Sequence, residues 1–211
     1  MHYLWFDTET TGKHPKVNCP LTAYFAVADK DHQVTDELYL QMKPDDMTRL
    51  KVEQEAMDVN KINLQEHLAD PSTITHSEAK VKIMEFLIKN KIKGKKKHFM
   101  PAGHNVAFDK DMLWNWVLTQ EEFEDECGVH YRTLDTSMIT NFFKDIGILP
   151  DDLGNLMSLV TYYGVPELDA HTCKGDVLMN IGVYKAMRRS MQARKKEAIG
   201  ATNSLLEIIE E

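Results

Sequence analysis

The chain opens with three β-rich segments in succession, and that start commits it to one side of a sheet. Tyr3–Asp7 is a short apolar run ending in an acid. Leu21–Ala28 and Val34–Met42 follow, separated by the polar stretch Asp29-Lys30-Asp31-His32-Gln33, which suits a hairpin connection. Helical periodicity takes over afterwards. Glu53–Val59 and Ser77–Ile92 read as helices, the second with Val81, Ile83, Met84, Leu87 and Ile88 near helical period and Ser77 as its cap. His98–Gly103 and His130–Thr136 read as a fourth and a fifth strand. Val106–Leu118, Leu153–Tyr163 and Gly175–Arg189 read as further helices, and 198–211 is left as a tail without assigned structure. The expectation is an α/β fold, a mixed five-stranded sheet flanked by helices. With no linker visible, the expected organisation is one domain over 1–211, its core about 3–190.

Composition narrows the function classes. Of 211 residues, 43% are hydrophobic and 27% charged, the balance of a globular chain. No apolar run approaches the roughly 18 residues of a membrane span, and residues 1–7 lack the features of a secretory signal. Cys19, Cys127 and Cys173 are far apart, without zinc-like spacing, so a cytoplasmic protein is expected. A net charge of −8 argues against a passive nucleic-acid coat, which neutralises phosphates with Lys and Arg. It is compatible with an enzyme that meets phosphates through bound cations. The basic run Lys89–Lys97 enters the His98–Gly103 strand from the end opposite Asp109 and reads as a solvated loop. Arg188–Lys196 has the same standing, and Leu205, Leu206, Ile208 and Ile209 suit either docking to a partner or capping of the core.

Four carboxylates stand where carboxylates are costly. Asp7 and Glu9, two apart on a strand, point to the same face. Two such charges about 4 Å apart repel by up to ~4 kcal/mol at an effective dielectric near 20. Asp109 shares a helical stripe with Met112, Leu113 and Trp116, and Asp176 shares one with Val183 and Met187, so both face inward. Four inward acids call for compensating positive charge, which two divalent cations supply, and paired ions are an arrangement that cleaves phosphodiesters. All-oxygen ligation fits Mg²⁺ or Mn²⁺.

The same residues carry a resemblance. Asp7-Thr8-Glu9-Thr10-Thr11-Gly12 resembles the first motif of the DEDD exonuclease superfamily, the DnaQ-like proofreading and RNA-trimming nucleases. His104-Asn105-Val106-Ala107-Phe108-Asp109 resembles the second motif, and His171 with Asp176 five residues on resembles the third, in the histidine-bearing DEDDh branch. The resemblance spans about Tyr3 to Met187. It implies an RNase H-like fold and a 3′→5′ exonuclease releasing 5′-mononucleotides. Asp7, Glu9 and Asp176 are then expected on the first ion, Asp7 bridging to the second, Asp109 helping to hold the second, and His171 as general base. Cys173 stands where the family commonly has a small Ala and reads as packing.

Further residues are assigned around this centre. Thr10 and Thr11 are expected to bond a terminal 3′-OH, and Met57, in a segment resembling the family's apolar wedge, to press on the last base. Asn105 reads either as a helix cap or as a substrate contact, and Phe108 either as a base-stacking ring or as core. Thr133-Leu134-Asp135-Thr136 resembles a structural strand end. Single-stranded DNA 3′ ends are the expected substrate and a polymerase or other replication protein an expected partner. The alternatives are an exoribonuclease like oligoribonuclease or RNase T, and a catalytically dead binding module, which would have been expected to lose one of these five residues.

Overall fold

The computed structural model describes residues 1–169 and 171–210, and for positions 197, 198 and 200–210 the backbone alone. The expectation about Leu205, Leu206, Ile208 and Ile209 therefore lies outside the described side chains.

Strand β1 (His2–Thr10) organises the sheet. It pairs antiparallel with β2 (Pro20–Ala28), and β2 pairs antiparallel with β3 (Val34–Lys43). The two-residue strand β4 (Ile74–Thr75) runs parallel to β3 at one edge. On the other side β1 pairs parallel with β5 (Phe99–Gly103), and β5 with the two-residue β6 (Leu134–Asp135). The order is β4-β3-β2-β1-β5-β6, a mixed sheet of six strands where five were expected. β4 is too short to leave a period in the sequence. The strand expected over 130–136 shrinks to β6 because Asp135 caps a helix immediately: its side chain accepts the Ser137 N–H at 2.9 Å, and Thr136 begins α5 (Thr136–Asp145).

Alternation along β1 sends its residues to two layers. Leu4 and Phe6 face α3 (His76–Lys89) and α4 (Val106–Trp116), packing with Phe25, Ile83, Leu87 and Leu113. Trp5 faces the other way and packs with Tyr24, Cys173, Val177 and Ile181 under α7 (Cys173–Glu210). α5 and α6 (Leu156–Tyr163) pack against α7 through Phe143, Leu159, Met179 and Val183. Every residue of β2 is buried. Full burial of such large apolar side chains contributes about 1.5–3 kcal/mol each.

Helix boundaries follow local capping. α3 starts from Thr75, not Ser77, since Thr75 and Glu78 form a reciprocal capping box. α1 (Gln54–Asn60) matches its expected span to within a residue, and a short α2 (Leu64–Ala69) follows it. α7 is longer than its expected 175–189 span at both ends. The lysines of the basic loop serve the fold itself: Lys89 pairs with Asp36 at 2.8 Å and Lys97 with Asp125 at 3.0 Å. Among the described residues no helix is long and apolar enough to cross a membrane.

Candidate active site

The parallel strands β1, β5 and β6 all end at one edge of the sheet, and the candidate residues gather there. β5 pairs with β1 only as far as Trp5, so Asp7 and Glu9 run on past the end of their parallel neighbour, next to the start of α4. On their other side Asp7 lies opposite Tyr24 and Glu9 opposite Thr22. α7 brings Asp176 down onto the same face. One oxygen from each of Asp7, Glu9 and Asp176 lies within 4.8 Å of the others.

Asp109 arrives from the opposite layer. It is 3% exposed, and its Oδ1 accepts two hydrogen bonds from Thr8, from the backbone N–H at 2.9 Å and from Oγ1 at 2.7 Å. Thr8 points away from Asp7 and Glu9 by strand alternation, so it meets α4 while its neighbours meet α7. Sequence reading missed this residue, although its period-2 position between the two acids was the available signal.

All four acids are held above their ordinary range, Asp7 and Glu9 by burial and by the neighbouring acids, Asp109 and Asp176 chiefly by burial. Burial, then the charges of Asp109, Glu9 and Asp176, hold the Asp7 carboxyl well above its usual range. Burial and then Asp176 and Asp109 push Glu9 up to about 8. Burial pushes Asp109 up to about 7 against the opposing Thr8 hydrogen bonds. Asp176 is raised by burial too, with the His171 N–H and charge pulling the other way. Sites of this kind favour either retained protons or a bound cation. The donor set is all carboxylate oxygen, which fits a hard divalent ion. Cys173 adds no soft ligand: it is 1% exposed, its Sγ lies 3.4 Å from Thr22 Oγ1, and burial keeps the thiol protonated.

His171 lies just before α7 with a left-handed backbone, φ 62°. Its N–H points at Asp176 Oδ1 at 3.4 Å. Thr172 caps the helix: its Oγ1 accepts the Gly175 N–H at 3.1 Å and donates to the Asp169 carbonyl at 2.6 Å. Gly175 is required there, because a Cβ would lie 2.1 Å from that carbonyl oxygen. His171 is half-buried, and among the described residues its imidazole has no hydrogen-bond partner.

Beside Glu9 and Thr8 lies a cavity of about 220 Å³ walled by Thr10, Ala56, Val59, Asn60 and Phe108. Phe108, half-buried, presents a ring to it. Thr10 also lines it, its hydroxyl donating to the Gly12 carbonyl at 2.8 Å. Two expected contacts are corrected. Thr11 is fully buried, its Oγ1 accepting the Cys19 N–H at 3.0 Å, so it holds the turn after β1 and is not free for a ligand. Met57 is 8% exposed and packs against Cys19 and Leu21, while Ala56 and Val59 carry the cavity-facing side of α1. Gly12 lets the turn close: a Cβ there would fall 2.4 Å from Asn18 and 2.5 Å from Glu53.

Asn105 occupies the N-cap position of α4 in a left-handed conformation, φ 63°, but its side chain makes no cap bond. Asp135 does that work from β6, its two oxygens accepting the Asn105 and Val106 N–H groups at 2.9 and 3.0 Å. The Asn105 side chain is exposed at the edge of the site. His104 is structural: Nδ1 meets Thr136 Oγ1 at 3.0 Å, and Thr136 in turn donates to Asn180 Oδ1 at 2.8 Å. Burial lowers the His104 pKa and keeps the ring neutral.

No protein-family model and no curated protein sequence matches the chain. Solved structures do. E. coli exonuclease I in complex with a dT13 oligonucleotide superposes with TM-score 0.72 and 19% identity over 93% of this chain and 43% of that one. Exonuclease I from Methylocaldum szegediense gives TM-score 0.69 and 22% identity over 89% and 40%. A zinc-bound E. coli exonuclease I–single-stranded DNA complex gives 0.71 and 19% over 89% and 40%. The chain therefore has the RNase H-like exonuclease fold, and it spans about two fifths of the length of these neighbours.

Proposed function

We propose that the protein is a 3′→5′ exonuclease of the DEDDh branch that removes 5′-mononucleotides from single-stranded DNA. The observation that carries this reading is the convergence of Asp7, Glu9 and Asp176 within 4.8 Å, with the charge of Asp109 acting on Asp7, beside a largely apolar cavity that Glu9 lines. Asp7, Glu9 and Asp176 would hold one Mg²⁺ or Mn²⁺, and Asp7 and Asp109 a second. Bound there, divalent cations lower the pKa of a water and offset charge on a leaving oxygen.

The protein's own groups do the rest. Phe108 and Val59 bracket the terminal base through apolar contact that tolerates any base. Thr10 and the turn at Gly12 line the sugar side. Asn105, exposed beside the second motif, meets the strand at its edge. Water attacks phosphorus, the bond to the upstream 3′ oxygen breaks, and the His171 imidazole accepts the water's proton. Among the described residues the His171 ring has no hydrogen-bond partner to give up first. Thr8 keeps one Asp109 oxygen occupied, so that the other is available to a ligand.

Matched 5′-labelled DNA and RNA strands, with a circular single strand as control, test the reading. Expected is a ladder of shortened DNA products, slower RNA loss, and an intact circle. A cut circle, or RNA consumed faster than DNA, overturns the proposed specificity; no cleavage with Mg²⁺ or Mn²⁺ overturns the activity.

A further inference from the structure

One basic feature takes no part in the catalytic centre. Lys185, Arg188 and Arg189 line a cavity of about 310 Å³ between α7 and the β2–β3 turn, completed by Asp31, Gln33 and Gln192. Spacings of three and four put the cations on one side of the helix. Among the described residues seven lysines pair with a carboxylate, and none of these three cations does. The carboxylate in the lining, Asp31, is already paired with Lys30 at 2.5 Å. Asp29, behind the turn, has its Oδ1 occupied by the N–H groups of Asp31 and Gln33, both at 2.9 Å. In a chain of net charge −8 the gathering of three unpaired cations around one concavity is a local reversal of sign.

A second observation lies against the same wall. His32 is 1% exposed, accepts the Trp5 indole N–H at Nδ1, and has no partner for Nε2. Burial, then the charges of Arg188 and Lys185, hold its pKa down to about 4, so it stays neutral and adds no charge of its own. Among the described residues no carboxylate forms an ion pair with these cations, although Asp31 lines the concavity and the charge of Asp29 is felt at Lys185. α7 connects this place to the catalytic centre, since the same helix carries Asp176 in its first turn. Lys185 and Arg189 lie about 14 and 20 Å further along at 1.5 Å per residue, and Lys174, paired with Glu37 at 2.8 Å, stands on the same side of the helix. A few nucleotides of single strand cover that distance.

We propose that the Lys185–Arg188–Arg189 cavity binds a backbone phosphate of the strand, several nucleotides upstream of the 3′ end held at the acidic centre. This rests on the exonuclease reading. It makes efficiency depend on strand length, because only strands long enough to reach the cavity gain the second anchor.

The test is the full chain with Lys185→Gln, Arg188→Gln and Arg189→Gln combined. On dT15 the triple variant is expected to raise KM about 10-fold at moderate salt with kcat unchanged, and on dT4 to change neither. The slope of log affinity against log salt for dT15 should fall by roughly 0.7 for each phosphate that the variant no longer neutralises. Anisotropy of 5′-labelled dT15 in Ca²⁺ reads binding without turnover, so the site is tested even if cleavage is absent. Absence of cleavage by the wild-type chain defeats the exonuclease reading alone. Equal effects on dT4 and dT15, or no effect on either, overturn the proposal. So does calorimetric binding of inorganic phosphate without any length dependence, which would mean a free-anion site.

Discussion

Thr8 grips a single oxygen of Asp109 twice, through its N–H and its hydroxyl, across the layer that separates α4 from α7. Of the four acids, Asp109 alone comes from the α4 side, and it reaches the others because β5 stops short of Asp7. The strand residue between two candidate ligands therefore positions a third.

Removing the hydroxyl at nearly constant volume tests this. Thr8→Val leaves the backbone bond but deletes a hydrogen bond to a charged group, an interaction worth about 1.5–3 kcal/mol. Expected is a fall in kcat of about 10–100-fold with a higher Mg²⁺ requirement, restored by Thr8→Ser. Calorimetric titration with Mn²⁺ should show the weaker of two binding events lost. An unchanged metal titration would mean that Thr8 does not act through Asp109.

Asp7→Asn should abolish hydrolysis. It should also raise the melting temperature of the metal-free protein, because the group that burial and its three acidic neighbours most resist ionising is gone. Calorimetry in EDTA reads the gain. The same scan in Mg²⁺ should show wild type stabilised by mass action and the variant little affected.

The pH dependence of metal-free stability follows from Glu9. Its folded-state value, about 8, lies above the 4.5 of a free glutamate. The folded protein therefore binds a proton that the unfolded chain releases, and stability falls as pH rises from about 4.5 to about 8. Melts in EDTA across that window should slope downward, Glu9→Gln should make the slope shallower while Asp7, Asp109 and Asp176 keep part of it, and a divalent ion should reverse it. A wild-type profile no steeper than the variant's would contradict this.

His171→Ala should lower kcat by roughly 10²–10⁴-fold, the range for a positioned base, while Mn²⁺ binding by calorimetry stays close to wild type. Loss of metal binding together with activity would instead make His171 a support for Asp176.

The acids were legible because period-2 and helical stripes depend only on spacing: Asp7 with Glu9, Asp109 with Met112 and Leu113, Asp176 with Val183. Residues whose role depends on a partner distant in sequence were not. Thr11 reads as a polar turn residue until Cys19 is seen to occupy its hydroxyl. Met57 reads as a wedge, yet in a seven-residue helix one apolar side chain suffices to choose the core, and the smaller Ala56 and Val59 are left facing the cavity. α5 was hidden because Asp135 ends a strand and caps a helix with the same carboxylate. The continuation of α7 past Arg189 was missed because the polar stretch Ser190–Lys196 carries little apolar period.

The separate origins of the acids give the candidate centre a mechanical meaning. Asp7 and Glu9 come from the first strand, Asp176 from the last helix, and Asp109 from the layer on the far side of the sheet. A cation shared among them would fasten β1 to α7 and one layer to the other. It would act as a reversible cross-link whose closure spans nearly the whole fold, so metal release and global loosening should occur together.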